Sequence, residues 1–201
     1  MNMAMKRLLG VVGGLALVFS VSGASAAPKD PRVLVEEVTT ELFTVVKAHP
    51  ADSEAYYTGV DKVLDKVVDF RYIAAVVMGR DAWGKATAEQ KTRFAEVFKN
   101  GLVRSYAKGI AGYANSAIKV VGVDQNAQNA KRAVVRQEVA HEGAVHQLSY
   151  TLRQVGEDWR LINVVLNGVN LGQSFSSQFT AALRKEGGDI DKVINNWLSE
   201  V

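Results

Sequence analysis

The chain has 201 residues, no cysteine and a formal net charge of +3. That length suits one domain with a sizeable core, and the missing cysteine excludes disulfides, thiolate metal sites, thiol catalysis and acylation at a lipobox cysteine. Lys6 and Arg7 supply two of the positive charges, so the rest of the chain carries +1, too little to point to nucleic acid as a partner.

From the N-terminus, Lys6 and Arg7 precede an apolar run over 8–21, and Ala24-Ser25-Ala26 offers a small-x-small cleavage site. Residues 1–26 therefore read as a cleaved secretory signal peptide, with 27–201 as a single mature domain. A membrane anchor is the rival reading, but the run is shorter than the ~20 residues a span requires. Gly10, Gly13 and Gly14 weaken it further.

Asp30-Pro31 opens the first predicted helix, whose stripe Val35, Val38, Leu42, Val45 and Val46 runs until Pro50 stops it. A second helix is predicted over 53–67, with Tyr56, Val60, Val63, Leu64 and Val67 on one side. Asp69 is a plausible N-cap for a short helix carrying Phe70, Ile73, Val76 and Val77 and ending at Gly79. Thr87-Ala88-Glu89-Gln90 reads as a capping box before a long helix. Spacing buries Phe94, Val97, Phe98, Leu102 and Tyr106 there.

The period then changes from helical to alternating. Residues 117–123, 130–139, 145–153 and 159–166 read as strands, with turns at His141-Glu142-Gly143 and Gly156-Glu157-Asp158. Leu148, Tyr150 and Leu152 alternate with Gln147, Ser149 and Thr151, so that strand has one wet face. Short turns between consecutive strands imply an antiparallel meander. Helices over 171–185 and 189–198 close the chain. The predicted class is α+β: a curved antiparallel sheet of about four to five strands with several helices packed on and around it.

Little in this pattern points to bond-making chemistry. His49, His141 and His146 lack metal-ligand spacing, and no Gly-x-Ser-x-Gly elbow occurs. Glu36-Glu37 lies on a polar helix face, and Asp189, near Asp191, reads as an N-cap after Gly187-Gly188. Gly168 and Gly172 fit turn geometry or close helix packing. Asp69 is the best candidate for a catalytic acid, although capping explains it more simply. No catalytic residue and no metal site is assigned.

The informative chemistry is apolar. On the strand over 159–166, Trp159, Leu161 and Val165 point one way and Ile162, Val164 and Leu166 the other. A strand apolar on both faces must be covered on both faces. Tyr150, Leu152, Ile162, Val164 and Leu166 face the long-helix residues Phe98, Leu102 and Tyr106. These two sets either meet as an ordinary core or stand apart around a cavity, and periodicity leaves both open.

Two blocks bear on that choice. One is Asn163-Val164, then Asn167-Gly168-Val169-Asn170-Leu171, then Phe175-Ser176-Ser177-Gln178-Phe179. The other is Val68-Asp69-Phe70-Arg71, then Met78-Gly79 and Trp83, then the helix with Phe94, Phe98 and Tyr106. In order and spacing they resemble the MlaC family of periplasmic phospholipid-binding proteins, also called the toluene-tolerance auxiliary-component family. The chain departs from the family pattern at Asn163, Asn170 and Ser176, where aspartate, serine and arginine are usual.

The resemblance implies an apolar lipid pocket between sheet and helices. Phe70, Ile73, Val97, Phe98, Leu102, Tyr106, Tyr150, Ile162, Val164, Leu166, Val169 and Phe175 are the candidate lining. It implies a monomeric, non-enzymatic carrier in the periplasm, with no cofactor and phospholipid as cargo. Such a carrier would make transient contact with an outer-membrane lipoprotein–porin complex and an inner-membrane ABC transporter bearing an MCE-domain subunit. Its role would be maintenance of outer-membrane lipid asymmetry and solvent tolerance. Two other readings stand beside it. One is a small-molecule enzyme on a cone-shaped α+β fold, using Asp69, Asn163, Gln137 or Tyr150. The other is a periplasmic chaperone with an apolar groove.

Overall fold

The computed structural model describes residues 30–125 and 129–197; the signal peptide expected over 1–26 lies outside them, as does the end of the last predicted helix at Leu198. Helix α1 (Pro31–Ala48) starts as its sequence dictates. The Asp30 carboxylate accepts from Arg32 N, Pro31 occupies the first turn where its missing N–H costs nothing, and His49 ends the helix before Pro50. Ser53 caps α2 (Glu54–Val67). Asp69 caps α3 (Phe70–Lys85) by accepting from Tyr72 N at 3.0 Å. Thr87 and Gln90 form the reciprocal capping box of α4 (Ala88–Gly112).

The short helix predicted to end at Gly79 does break there, with Gly79 at φ 75°, a conformation that favours glycine. A second helical segment then runs to Lys85, because Ala82 still has a core to enter and Trp83 packs on its edge.

Strands β1 (Ala117–Gln125), β2 (Arg132–His141), β3 (Ala144–Val155), β4 (Asp158–Leu166) and β5 (Val169–Asn170) form one antiparallel meander in sequence order. Glu142, at φ 49°, and Gly143, at φ 81°, make the tight β2–β3 turn. Helices α5 (Leu171–Lys185) and α6 (Ile190–Asn196) complete the chain. The architecture is α+β, as predicted.

Three apolar clusters hold it together. Phe94 and Phe98 meet Phe175, Phe179 and Trp197 between α3, α4, α5 and α6. The Phe94–Phe179, Phe94–Trp197 and Phe98–Phe175 rings meet edge-on at centroid distances of 5.0–5.3 Å, the geometry the ring quadrupoles favour. Val35 of α1 packs on Val120, Val135, Leu152 and Trp159 of the sheet. Tyr56, Tyr57 and Val60 of α2 pack on Val103 and Ala107 of α4. Helix α2 is also tethered to α4 by Lys99, whose ammonium lies 2.7 Å from Asp65 and 3.1 Å from Asp61. Partial burial lowers the pKa of Lys99, but its hydrogen bond to the Asp65 carboxylate and its ion pairing with Asp61 outweigh that and raise it. While the two aspartates are ionised, the tether therefore holds beyond the ordinary lysine value and weakens on the basic side only as pH rises through the raised one.

The predicted facing of β4 changes in the structure. Leu152 pairs with Leu161 and Thr151 with Asn163, so Ile162 is the extra residue of a β-bulge. Side-chain alternation is reset there. Leu161 shares a face with Val164 and Leu166, and Ile162 is buried on the other side.

Candidate functional site

A cavity of about 310 Å³ opens where the three clusters fail to meet. Helix α1 contributes Leu34, Val35, Val38, Thr39 and Leu42, and the α2–α3 region contributes Leu64, Val67, Val68, Phe70 and Ile73. The facing wall is Leu148, Tyr150 and Leu152 of β3 with Leu161, Asn163, Val164 and Leu166 of β4. Leu171, Gly172 and Phe175 of α5 close one flank, and Phe98, Leu102, Tyr106 and Ile110 run along α4 at four-residue intervals. That helical stripe is about 18 Å long at 1.5 Å per residue. Among the described residues no charged side chain lines the cavity, and Tyr106, 37 % exposed, is the most exposed member of the lining.

Of the residues singled out from sequence, the structure brings nine to this cavity: Phe70, Ile73, Phe98, Leu102, Tyr106, Tyr150, Val164, Leu166 and Phe175. Three lie elsewhere. Val97 packs against the aromatic cluster, because it sits round the helix from the row of Phe98 and Leu102. Ile162 is turned away by the bulge. Val169, on the two-residue strand β5, is 55 % exposed. The α1 wall was missed. Its stripe of Val35, Val38 and Leu42 is plain in the sequence, but nothing local places that stripe opposite β3 and β4.

The few polar groups in the wall are matched to one another. The Tyr150 hydroxyl donates to Gln137 Oε1 at 2.8 Å, Gln137 Nε2 donates to Thr39 Oγ1 at 3.1 Å, and Thr39 donates to the Val35 carbonyl at 2.7 Å. Gln137 is only 3 % exposed, so this chain of bonds is what makes its burial tolerable. Burial pushes the Tyr150 hydroxyl well above the usual phenol range, so it stays protonated and donates.

Asn163 Oδ1 accepts from Gly172 N at 3.2 Å and so caps an early turn of α5, while Asn170 caps the same helix through Gln173 N at 3.0 Å. At these two departures from the usual pattern the amides make the hydrogen bonds that capping requires. At the third, the Ser176 carbonyl accepts from Thr180 Oγ1 at 2.9 Å.

Gly172 is required by this arrangement: a Cβ there would lie 2.7 Å from Asn163 Oδ1. Gly172→Ala is expected to cost about 1 kcal/mol by displacing the amide. In an Asn163→Ala background the same change should become neutral or stabilising, because alanine is the better helix former by about 1 kcal/mol. Chemical denaturation of the four proteins checks that reversal of sign.

The family model described as "MlaC protein" matches residues 36–199. The chain belongs to the MlaC family. Toluene tolerance protein ttg2D of Pseudomonas putida is 35% identical over 94% of this chain and 89% of its own length. The intermembrane phospholipid transport system binding protein MlaC of Haemophilus influenzae is 21% identical over 92% and 89%. Among solved structures, a phospholipid-binding protein from Ralstonia solanacearum, in complex with a phospholipid, superposes with a TM-score of 0.77. The match covers 86% of this chain and 96% of that one at 24% sequence identity, and it establishes a shared fold.

Proposed function

We propose that this MlaC-family chain is a periplasmic carrier that moves diacyl phospholipid between the outer and inner membranes. The observation that carries the reading is a cavity lined by apolar side chains and free of charge. The stripe from Phe98 to Ile110, about 18 Å long, compares with the ~15 Å that one leaflet's acyl chains occupy, half of a ~30 Å hydrocarbon core. Each methylene taken from water gains ~0.8 kcal/mol, so two long chains gain on the order of 20 kcal/mol. A bilayer offers a similar gain, and transfer between the two is therefore close to balanced. Docking partners then set its direction: an outer-membrane lipoprotein–porin complex on one side and an inner-membrane ABC transporter with an MCE-domain subunit on the other.

Nothing in the wall is placed for bond-making. Gln137, Tyr150 and Asn163 are engaged in bonds within the fold, and Asp69 is held by Tyr72 N and Arg153. Among the described residues no helix is long and apolar enough to cross a membrane. The names of the Haemophilus and Pseudomonas relatives support phospholipid as cargo and solvent tolerance as the outcome.

Native mass spectrometry of protein purified from its own periplasm, with organic extraction of bound material, tests the proposal. A stoichiometric diacyl phospholipid is the expected result. An unliganded mass, together with no uptake from offered vesicles, would refute it.

A further inference from the structure

We propose that the bound lipid's glyceryl ester and phosphoryl oxygens are held at the cavity mouth by the hydroxyls of Tyr106 and Tyr113. This rests on the carrier reading above. Tyr106 is the exposed member of the lining, so it marks where a polar group can stay wet while acyl chains run inward. Its hydroxyl has no hydrogen-bond partner among the described residues, and partial burial raises its pKa, which keeps it a donor.

Tyr113, the C-cap of α4, lies about two turns further along the same helix face. Across from it, His146 continues the inward row Leu152, Tyr150 and Leu148 on β3. Their side chains meet just beyond the last lining residues: the Tyr113 hydroxyl is 3.5 Å from His146 Nε2, and the Tyr113 ring lies edge-on to His146 and tilted against His141. A polar cluster thus lies outside the lining, on the continuation of the α4 and β3 rows past Ile110 and Leu148.

The hydrogen bonding of that cluster gives it a direction. Asn167 Oδ1 accepts from Gln147 N at 2.8 Å, so its amide nitrogen is the atom facing His146 Nδ1 at 3.1 Å. An amide nitrogen only donates, which makes Nδ1 an acceptor and puts the imidazole proton on Nε2. Nε2–H then points at the Tyr113 oxygen, and the tyrosine's own proton is left for an acceptor outside the cluster. His146 is a positioning residue in this scheme. The partial negative charge at the C-terminal end of α4 favours the neutral ester carbonyls over the anionic phosphodiester among the oxygens held there. Neutral hydroxyl donors suit ester and phosphoryl oxygens whatever the head group beyond them.

Around Phe70 the cations are already engaged: Arg153 pairs with Asp69, and Lys99, over the Phe70 ring, pairs with Asp61 and Asp65.

Tyr106→Phe and the double variant Tyr106→Phe/Tyr113→Phe test this, with affinity measured for phosphatidylglycerol and for its dialkyl ether analogue. The first substitution removes a hydroxyl that no protein group uses, so folding is not at issue. Diester affinity is expected to fall about fivefold for the single variant and about 25-fold for the double. A smaller loss with the ether lipid would assign the bonds to ester carbonyls, and an equal loss to phosphoryl oxygens. Variants that bind both lipids as tightly as the wild type would overturn the proposal while leaving the carrier reading intact. A wild type that takes up neither lipid would instead remove the carrier reading itself.

Discussion

Val164→Phe is expected to lower phospholipid affinity about a hundredfold while the protein stays folded. Val164 lines the cavity from β4, opposite its cross-strand partner Tyr150 and facing the α1 and α4 walls. A phenyl ring there adds about four carbons to a space that would otherwise hold chain methylenes. At ~0.8 kcal/mol each, the displaced methylenes amount to about 3 kcal/mol of binding, or about a hundredfold in Kd.

The usual penalty for enlarging a buried residue arises from strain in a filled core. Here the ring enters empty space, so the unliganded melting temperature should hold or rise. Val164→Thr is the control, because it keeps the volume and adds a hydroxyl. It should cost far less affinity than the phenyl ring, since the mechanism is occupancy of space. Both variants are read by lipid content after purification and by uptake from vesicles. A Val164→Phe protein that purifies with the wild-type complement of phospholipid would show that the lipid lies elsewhere.

What the sequence disclosed about this cavity was its helical side more than its sheet side. The α4 row of Phe98, Leu102 and Tyr106 is set by helical period alone, and it holds because nothing interrupts α4 between its Thr87–Gln90 capping box and Gly112. Helix ends were legible for the same reason: Asp30, Ser53, Asp69, Thr87 and Asp189 all cap through their side chains.

On β4 the period is two, and one extra residue reverses every later side chain. The bulge at Ile162 depends on register with β3, which is not encoded within β4, so strict alternation alone places Ile162 inward and Leu161 outward. The missing α1 wall has a similar origin. Val35, Val38 and Leu42 form an ordinary amphipathic stripe, and which surface covers it is decided by long-range contacts such as Arg32 Nη1 donating to the Val120 carbonyl at 2.9 Å. Whether facing apolar rows touch or stand apart is likewise a property of the three surrounding clusters, not of the rows themselves.

Asp69→Ala is expected to destabilise the fold by about 3 kcal/mol, a fall of about 6–12 °C in Tm for a domain of this size. The residue does three jobs at once. Its Oδ1 caps α3 through Tyr72 N, its Oδ2 accepts from Arg153 Nε at 3.0 Å, and its own N–H donates to the Leu161 carbonyl at 2.9 Å beside the bulge. The last bond survives substitution; the first two do not. Loss of the cap costs about 1 kcal/mol. A half-buried Arg153, still against the Tyr72 ring at 4.6 Å, accounts for about 2 more, since a charged group has lost its carboxylate acceptor.

Asp69→Asn separates these contributions, because asparagine caps as well as aspartate and only the ion pair is lost. Its Tm should fall by less than that of the alanine variant, and Arg153→Met should erase most of the difference between asparagine and aspartate. Phe70 and Ile73 follow directly from this anchor and form part of the cavity wall, so lipid release on heating should track the loss of structure in each variant. A catalytic acid would behave otherwise: Asp69→Ala would keep its Tm within a degree of the wild type and lose turnover instead, and that pattern would return the enzyme reading to first place.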